Sequence, residues 1–537
     1  MVRPARPLSY LFALDVSSHA VQSGALSLAC TSLLSLLDSF PVTSFTAPDG
    51  TTHYTSPTRI GILTYDRHVH FYNLSPRQSR FQMLVVPDLD DIFVPLSDGL
   101  FVDIAESREL IVSLLTALPG MFGGTQVAGN ALGAALEAGL MALEATGGRV
   151  IAMTSSIPSL GRGALKARDE ANVVGSDKER QLYVPQGAFY KKIGVDCSNA
   201  GVGVDIFITA QGAVDLATLG VAASLTGGTA FYYPRFNATK HGMKFSEELK
   251  RTIVRTHGYE AVLRVRASNG LRVQDYFGNM YMKASADVEL ASIDSDKALG
   301  VVLAHDGKLD ERTDAVIQTA LLYTTALGER RIRIHTLSLR TSSSFPDVYR
   351  SLDMDAIVNI WSKMAVQSAA AKPLAAVRQD LNDNVIAMLA CYREKCASNN
   401  PPAQLVLPEL VKLLPVVELC MTKSTPFRLG VDMAVDERID AMRFINEATT
   451  RATAQYFYPT LVDVMALDIS PVDEDGRVYA RAEAVRLSYE MLDAARVYVL
   501  ENGVGVMVWV GAATPSAMIK CFFDVPYLEN VDLNMVR

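Results

Sequence analysis

The 537-residue chain is too long for a single hydrophobic core, so its length predicts several domains. Its net charge of −8 excludes general nucleic-acid binding, which requires a dominant basic face. The first residues lack the apolar core of a signal peptide, and no run of about 18 uncharged apolar residues predicts a membrane-spanning helix. Six scattered cysteines are typical of thiols that stay reduced in the cytosol.

The first predicted domain, residues 1–245, alternates strand and helix patterns. Continuous apolar runs at 10–16, 59–65, 149–156 and 202–210 are typical of buried strands, and segments with helical spacing lie between them. Buried strands that alternate with helices form mostly parallel sheets covered on both faces. We therefore predict a doubly wound α/β domain.

The second predicted domain, residues 246–345, has a different sequence pattern. Its short, turn-bounded segments are typical of strands, and they lie at 261–268, 271–285, 298–306 and 330–339. This pattern predicts a β-sandwich. Between the strands, residues 310–327 are predicted to form one helix or a broad connection.

The remaining chain predicts two further domains. Residues 346–455 are almost wholly helical in pattern. Residues 456–537 return to mixed patterning, and Asn502-Gly503 between two β-rich runs predicts a hairpin turn. The predicted fold class is therefore multi-domain, with α/β, β, all-α and a final smaller α/β domain.

The end of the first strand carries a partial metal-binding pattern. Asp15, Ser17 and Thr125 resemble part of the metal-dependent adhesion site of von Willebrand A domains, where oxygens at strand ends bind a hard divalent cation. Here His19 stands at the second serine position, and no acid follows the strand that ends near Thr154. Two hydroxyls and one carboxylate bind Mg²⁺ poorly, so we predict no metal ion. We expect Asp15 to cap the following helix or to bond loop amides.

Patterns for catalysis are absent from the sequence. No P-loop, GxSxG, HExxH or EF-hand pattern occurs. His68 and His70 fall on one face of a predicted strand, but the sequence indicates no third ligand beside them. We therefore predict a binding protein and not an enzyme.

Basic residues are concentrated in one segment. Residues 231–275 contain nine Lys or Arg against four Asp or Glu, a net +5 within an acidic chain. Such a segment can attract an anionic membrane surface at about 1 kcal/mol per well-placed cation. The alternative, that these residues lie on ordinary solvated faces, stays open because the sequence does not show whether they share a face.

Seven segments occur in a characteristic order: YLFALDVSSHAVQSG, RIGILTYDRHVHFYNL, QMLVVPDLDDIFVPL, AFYKKIGVDCS, GYEAVLRVRASNG, LLYTTALGERRIRIHTLSL and YVLENGVGVMVWVGA. In this order they resemble the cargo-adaptor subunit of the COPII vesicle coat, the Sec-twenty-four family. The segments SLDMDAIVNIW and LVLPELVKLLPVVELCMTKS fit its helical domain. The resemblance implies a von Willebrand A-like trunk, a β-sandwich, a helical domain and a gelsolin-like domain.

The resemblance also implies a function. Such a subunit is cytoplasmic, and it associates peripherally with the cytosolic face of the endoplasmic reticulum and of COPII vesicles. The implied partners are the Sec-twenty-three subunit, a membrane-bound Sar-type GTPase, an anionic membrane, and the export signals of transmembrane cargo and SNAREs. The family's low-complexity region and four-Cys zinc finger have no counterpart in this chain, which stops inside or just after the gelsolin-like block. We therefore expect a shortened form or a fragment with no bound zinc or other cofactor.

Candidate cargo-binding residues follow from the same resemblance. The segment RRIRIHTL matches the arginine strand of a family surface for acidic or apolar export signals. Arg331 and Arg333 are therefore candidates to bind a signal carboxylate, because the guanidinium makes bidentate, charge-assisted bonds. Val288 and Leu290 are the candidate apolar contacts. The alternatives are local ion pairs for the two arginines and core packing for the two aliphatic residues.

Two other functions stay open at this point. The sister coat subunit shares the domain plan but activates a Sar-type GTPase through an arginine. A metal-dependent von Willebrand A adhesion or scaffold protein would use the site at Asp15. The segment TGGTAFYYPRF favours the adaptor over the sister subunit, which has a GDSF-like run at this place.

Overall fold

The computed structural model describes residues 6–41, 43–46, 52–55, 57–284, 287–399, 401, 404, 406–430, 433–470, 479–481 and 483–531. The chain divides into two compact units. Unit 1 comprises Met1–Ser343, Val366–Leu374 and Leu429–Glu447. Unit 2 comprises Ser344–Ala365, Ala375–Arg428 and Ala448–Arg537.

Unit 1 begins with an α/β trunk. Its strands are β1 (Ser9–Asp15), β2 (Thr43–Thr46), β3 (Thr52–Thr55), β4 (Arg59–Tyr65), β5 (Val69–Asn73), β6 (Gln82–Val86), β7 (Val102–Asp103), β8 (Gly148–Thr154), β9 (Val202–Ile208) and β10 (Ala230–Tyr232). Its helices are α1 (Ser18–Gln22), α2 (Ala25–Leu36), α3 (Arg108–Met121), α4 (Leu132–Leu143), α5 (Glu170–Val173), α6 (Phe189–Asn199), α7 (Leu216–Thr226) and α8 (Ala238–Val254).

The trunk strands form one eight-stranded sheet, beside a separate pair of β2 and β3. Its order is β10-β9-β8-β1-β4-β5-β6, with β7 paired to β4. The pairs from β10 to β4 are parallel, whereas β4, β5 and β6 are antiparallel neighbours. The predicted doubly wound, mostly parallel sheet is therefore confirmed.

Both faces of the central strand β1 are buried. Tyr10, Phe12 and Leu14 lie in a core with residues of α2, α3 and α8. Leu11 faces the opposite side, because successive side chains of a strand alternate. On that side Gly139 of α4 lies so close to the sheet that a Cβ would be 2.9 Å from Val150 Cγ2. A glycine is thus required for α4 to pack at this distance.

Helix α8 extends the trunk beyond the predicted domain boundary at residue 245. Phe245, Leu249 and Ile253 follow one another at helical spacing and are buried in the trunk core. The boundary placed between 245 and 246 lies inside this helix, and the sandwich begins only after Val254. The sequence pattern did not indicate this helix, because most of its other residues are polar or basic.

The β-sandwich follows in unit 1. Its strands are β11 (His257–Ala267), β12 (Leu271–Phe277), β13 (Tyr281–Ala284), β14 (Asp287–Asp294), β15 (Gly300–His305), β16 (Ala315–Thr325) and β17 (Arg330–Leu339). One sheet has the order β13-β14-β11-β16-β17, and β12 pairs with β15 in the other. Ala261, Val288 and Leu290 are its buried core, and Tyr276 of β12 packs against them.

Strand β16 corrects the prediction for residues 310–327. That segment is neither a helix nor a broad connection, because Ala315–Thr325 forms a strand between β11 and β17. Its sequence AVIQTALLYTT mixes helix-forming with β-branched residues and shows no strict alternation. Periodicity cannot separate helix from strand in such a segment.

The third predicted domain is helical, as the sequence indicates. Its helices are α9 (Phe345–Arg350), α10 (Met354–Ala369), α11 (Leu374–Cys396), α12 (Leu414–Lys423), α13 (Val435–Glu447) and α14 (Thr450–Phe457). Helix α13 belongs to unit 1, where it packs against α7 of the trunk. Among the described residues, no helix has both the length and the apolar character needed to cross a membrane.

The last part of unit 2 is a small mixed region. It contains β18 (Thr460–Asp463), β19 (Asp468–Ser470), β20 (Tyr479–Arg481), β21 (Ala484–Val485), β22 (Val497–Glu501), β23 (Val506–Val510) and α15 (Ser516–Phe523). β22 and β23 are antiparallel, which confirms the predicted hairpin. Gly503 has a φ of 82°, which accounts for glycine in its turn.

Candidate binding sites

Asp15 is a structural acid of the loop after β1. Its Oδ1 accepts a hydrogen bond from Ser17 N at 2.8 Å, and its Oδ2 accepts from Ser155 N at 2.8 Å. The amide of Asn130 donates to Oδ2 at 3.2 Å and to Thr154 Oγ1 at 2.9 Å. Burial raises the pKa of Asp15, and the hydrogen bonds from Ser17 and Ser155 oppose that shift. The expectation that Asp15 bonds loop amides is therefore confirmed.

The same loop does not suit a cation. An N–H group of Asn130 points at the oxygens of Asp15 and Thr154, where a metal ion would need another oxygen ligand. Thr125 accepts a hydrogen bond from Val127 N within its own loop, and His19 is exposed. These contacts favour a structural role for the loop over cation binding.

Arg331 and Arg333 lie on the edge strand β17. The side chain of Arg331 is 59% exposed and pairs with Glu329. Arg333 is exposed, and within the described part of the chain it makes no ion pair or hydrogen bond. Both arginines stand opposite core-facing residues of β16, Tyr323 and Leu321, so they share the inner face at the open edge of the sheet.

Val288 and Leu290 are not at the surface. Their exposed fractions are 0% and 1%, and they form the sandwich core with Ala261. Arg333, Leu321, Leu263 and Val288 lie in one row across four strands. Three strand spacings separate the ends of this row, or about 14 Å. The structure therefore does not bring the predicted apolar contacts to the arginines, and core packing accounts for both aliphatic residues.

Ion pairs neutralise most of the basic residues in the segment 231–275. Six of its nine cations make ion pairs: Arg235 with Glu437, Lys244 with Glu248, Lys250 with Glu247, Arg251 with Asp296, Arg255 with Asp294, and Arg264 with Asp287. Lys240, Arg266 and Arg272 are exposed. Most of these basic residues thus lie on ordinary solvated faces beside acids.

A cavity of about 620 Å³ opens in unit 1. Its walls come from α7, the segment 276–282, residues 366–370 and α13. Most lining side chains are apolar, and they include Leu225, Phe277, Met280, Met282, Val366, Ile439 and Met442. The sequence alone did not indicate this cavity, because its walls are distant in the chain.

Two basic side chains line the cavity, and one of them, Arg443, forms an ion pair with Glu447 at 3.5 Å. Among the described residues that line it, the charged ones are Lys191 and Arg443. Arg443 donates from one terminal nitrogen to Gly220 O and Ser224 Oγ, each at 2.9 Å. Its Nε is buried and makes no hydrogen bond within the described part of the chain. The arrangement suits an apolar ligand that also presents a hydrogen-bond acceptor or a carboxylate.

Domain comparisons agree with this architecture. Residues 5–253 match the Sec23/Sec24 trunk domain, 258–342 the Sec23/Sec24 beta-sandwich domain, and 353–455 the Sec23/Sec24 helical domain. The trunk match ends within one residue of the end of α8. The predicted trunk, β-sandwich and helical domains are confirmed.

Named relatives extend the match over nearly the whole chain. Protein transport protein Sec24C of Homo sapiens is 37% identical over 528 residues, which are 98% of this chain and 47% of the relative. Protein transport protein Sec24D of Homo sapiens is 34% identical over 536 residues, or 99% of this chain and 51% of the relative. The chain spans about half the length of these curated relatives.

A solved structure shows the same fold. The crystal structure of the human COPII-coat protein Sec24c matches with a TM-score of 0.90 and 35% sequence identity. The match covers 99% of this chain and 67% of that chain. This chain therefore belongs to the Sec23/Sec24 family, among its Sec24 proteins.

Proposed function

We propose that this chain is a cargo-binding subunit of the inner COPII coat, capturing export signals of transmembrane cargo and SNAREs for transport from the endoplasmic reticulum to the Golgi. The observation that carries the proposal is the exposed pair Arg331 and Arg333 at the open edge of β17. Family membership supports it, because a named relative is a COPII-coat protein. The proposed role is binding, without an enzymatic step.

The arginine pair suits acidic signals. A guanidinium binds a carboxylate through two parallel hydrogen bonds, and each charge-assisted bond contributes about 1.5–3 kcal/mol. Arg331 already contacts Glu329, but exposed ion pairs of this kind contribute little and exchange readily for a ligand carboxylate. Arg333 is exposed, and within the described part of the chain no ion pair has to break before it binds a ligand.

Reversing both charges tests this assignment. In the variant Arg331→Glu/Arg333→Glu we expect the affinity for a peptide with an acidic export signal to fall by about 100-fold, because two attractive contacts become repulsive. Fluorescence anisotropy of a labelled peptide measures the Kd.

Arg77→Glu/Arg80→Glu is the matched control, since both arginines are exposed and the net charge changes equally. We expect this control to bind the acidic peptide as the unchanged chain does. Equal Kd values for both double variants would place the acidic-signal site elsewhere.

The cavity is the proposed site for apolar signals. It lies beside β13, at the opposite edge of the five-stranded sheet from β17, so the two sites are about four strand spacings or 19 Å apart. Its methionine-rich lining accepts flexible apolar side chains. The two signal classes can therefore be separated by mutation.

Filling the cavity should affect apolar signals alone. Ala370 is an exposed lining residue, and Ala370→Trp places a large ring at the cavity mouth. We expect at least about tenfold weaker binding of an apolar-signal peptide, with unchanged binding of the acidic peptide. Ala145→Trp, at an exposed residue outside the cavity, is the control. An apolar peptide that binds Ala370→Trp normally would contradict this assignment.

The proposed partners follow from the family. We propose that the chain forms a heterodimer with the Sec23 subunit, that a Sar-type GTPase recruits the pair, and that the complex binds peripherally at an anionic membrane on the cytosolic face. The exposed cations Lys240, Arg266 and Arg272 support the membrane contact. Co-purification with the Sec23 subunit tests the heterodimer, and acceleration of GTP hydrolysis by this chain alone would favour the sister-subunit alternative.

A further inference from the structure

A cluster of three potential ligands lies on the hairpin of β4 and β5. Asp66 directly follows β4, His68 precedes β5, and His70 lies within β5. One carboxylate oxygen and one nitrogen from each imidazole lie within 4.8 Å of one another. The sequence indicated no third ligand beside the two histidines, but the turn brings Asp66 to them.

The ring of His70 belongs to a hydrogen-bonded chain of side chains. Its Nδ1 is 3.0 Å from Thr64 Oγ1, which is 2.9 Å from the hydroxyl of Tyr72. In one arrangement Tyr72 donates to Met83 Sδ, so that Thr64 donates to Tyr72 and accepts from Nδ1–H of His70. This chain of donors leaves Nε2 of His70 with a free lone pair.

That lone pair faces another acceptor. Nε2 of His70 is 3.9 Å from Oδ1 of Asp66, which is too long for a hydrogen bond. Both residues are buried, at 5% and 6% exposure, and Oδ1 of Asp66 also accepts a hydrogen bond from His68 N at 3.0 Å. A cation placed in the gap between Nε2 of His70 and Oδ1 of Asp66 would be bound by both atoms.

His68 completes the set. It is partly exposed, its ring is nearly perpendicular to that of His70, and the ring centroids are 6.4 Å apart. Within the described part of the chain its ring nitrogens make no hydrogen bond. The ring can therefore turn toward the gap between Asp66 and His70.

We propose that Asp66, His68 and His70 bind a zinc ion, with a water molecule as the fourth ligand. Two imidazoles and a carboxylate are typical zinc ligands, at about 2.0–2.2 Å from the metal. In a tetrahedral site such bonds place neighbouring ligand atoms about 3.4 Å apart. The present 3.9 Å between His70 and Asp66 closes to that distance by a small side-chain rotation. Thr64 acts as a positioning residue that orients the imidazole.

Metal titration of the full chain tests the proposal. With ZnCl₂ we expect one equivalent bound at this site in isothermal titration calorimetry. With CoCl₂ we expect visible bands of four-coordinate cobalt without the charge-transfer absorption of cysteine thiolates. In His68→Asn and Asp66→Asn this equivalent should be lost or bound at least about tenfold more weakly, and His335→Asn, at an exposed histidine of β17, should match the unchanged chain.

Variants of Thr64 separate positioning from folding. Thr64→Val should weaken zinc binding by about 10–100-fold, whereas Thr64→Ser keeps the hydroxyl and should bind as the unchanged chain does. Circular dichroism melts without metal report whether the variants are folded. Equal zinc affinity in the unchanged chain and His68→Asn would overturn the proposal, as would a cobalt spectrum dominated by thiolate ligation.

Discussion

Replacing Asp205 by alanine is expected to destabilise the trunk sheet by about 3–5 kcal/mol, because it leaves a buried guanidinium without its counter-ion. Asp205 in β9 is 0% exposed and forms an ion pair with Arg149 of β8, which is 2% exposed. Its other oxygen accepts a hydrogen bond from Thr229 N at 2.9 Å. Arg149 also donates to Thr252 O of α8 at 3.2 Å. The pair thus joins two central strands to a helix.

The charge state of this pair sets a pH dependence. Burial alone would raise the pKa of Asp205, but the charge and hydrogen bond of Arg149 outweigh burial and lower it. A carboxyl whose folded-state pKa is lowered contributes stability above its unfolded pKa of 3.8 and loses it as the pH falls further. The excess stability of the unchanged chain over Asp205→Ala should therefore decline below about pH 4.

Native-state hydrogen exchange measures the effect locally. Opening free energies of amides in β8 and β9 report the trunk sheet without requiring two-state unfolding of a multi-domain chain. Asp287→Ala is the control, because its pair with Arg264 lies at the surface and should contribute much less. Adding Arg149→Met to Asp205→Leu should recover much of the loss, since well-packed apolar replacements of buried pairs are often neutral. Unchanged exchange in Asp205→Ala would contradict this account.

The trunk was predictable because the apolar pattern of each segment agrees with the place of that segment in the folded sheet. Apolar runs such as 10–16 and 202–210 are buried on both faces, which is what a central parallel strand requires. β16 was not predictable for the opposite reason. Most residues of β16 are only partly buried on either face. Its mixed composition is therefore compatible with a strand, although its apolar residues do not alternate with polar ones. The polar helix α8 likewise buries only a narrow stripe.

The candidate site residues also differ in how far the sequence predicts their positions. The exposure of Arg331 and Arg333 follows from an edge strand, which sequence spacing can indicate. The burial of Val288 and Leu290 depends on which face of β14 meets the second sheet, and spacing alone does not determine that. The cavity joins segments more than a hundred residues apart. Asp66 was harder to predict as a neighbour of the two histidines, because the turn between β4 and β5 brings it to them and strand alternation does not extend through that turn.

Asp440 is expected to make unit 1 less stable at neutral pH than at mildly acidic pH. Its pKa is raised to about 7, mainly because the carboxyl is buried. Nearby Arg443 and Lys244 lower this pKa, whereas Glu447 and Glu248 raise it. A raised carboxyl pKa means that the folded state binds the proton more tightly than the unfolded state does. Stability should therefore fall as the pH rises from about 4 to about 7 and then become constant.

The size of the effect can be bounded. The difference between 3.8 and about 7 corresponds to at most about 4 kcal/mol, and partial exposure of the side chain reduces this value through solvent screening. Asp440→Asn removes the charge and should raise the melting temperature at pH 8 while changing it little at pH 4. Asp177→Asn, at an exposed carboxylate of the same unit, should leave the difference between the two melting temperatures unchanged. If Asp440→Asn lowered the melting temperature at pH 8, the carboxylate would be stabilising unit 1 through a contact that outweighs its burial.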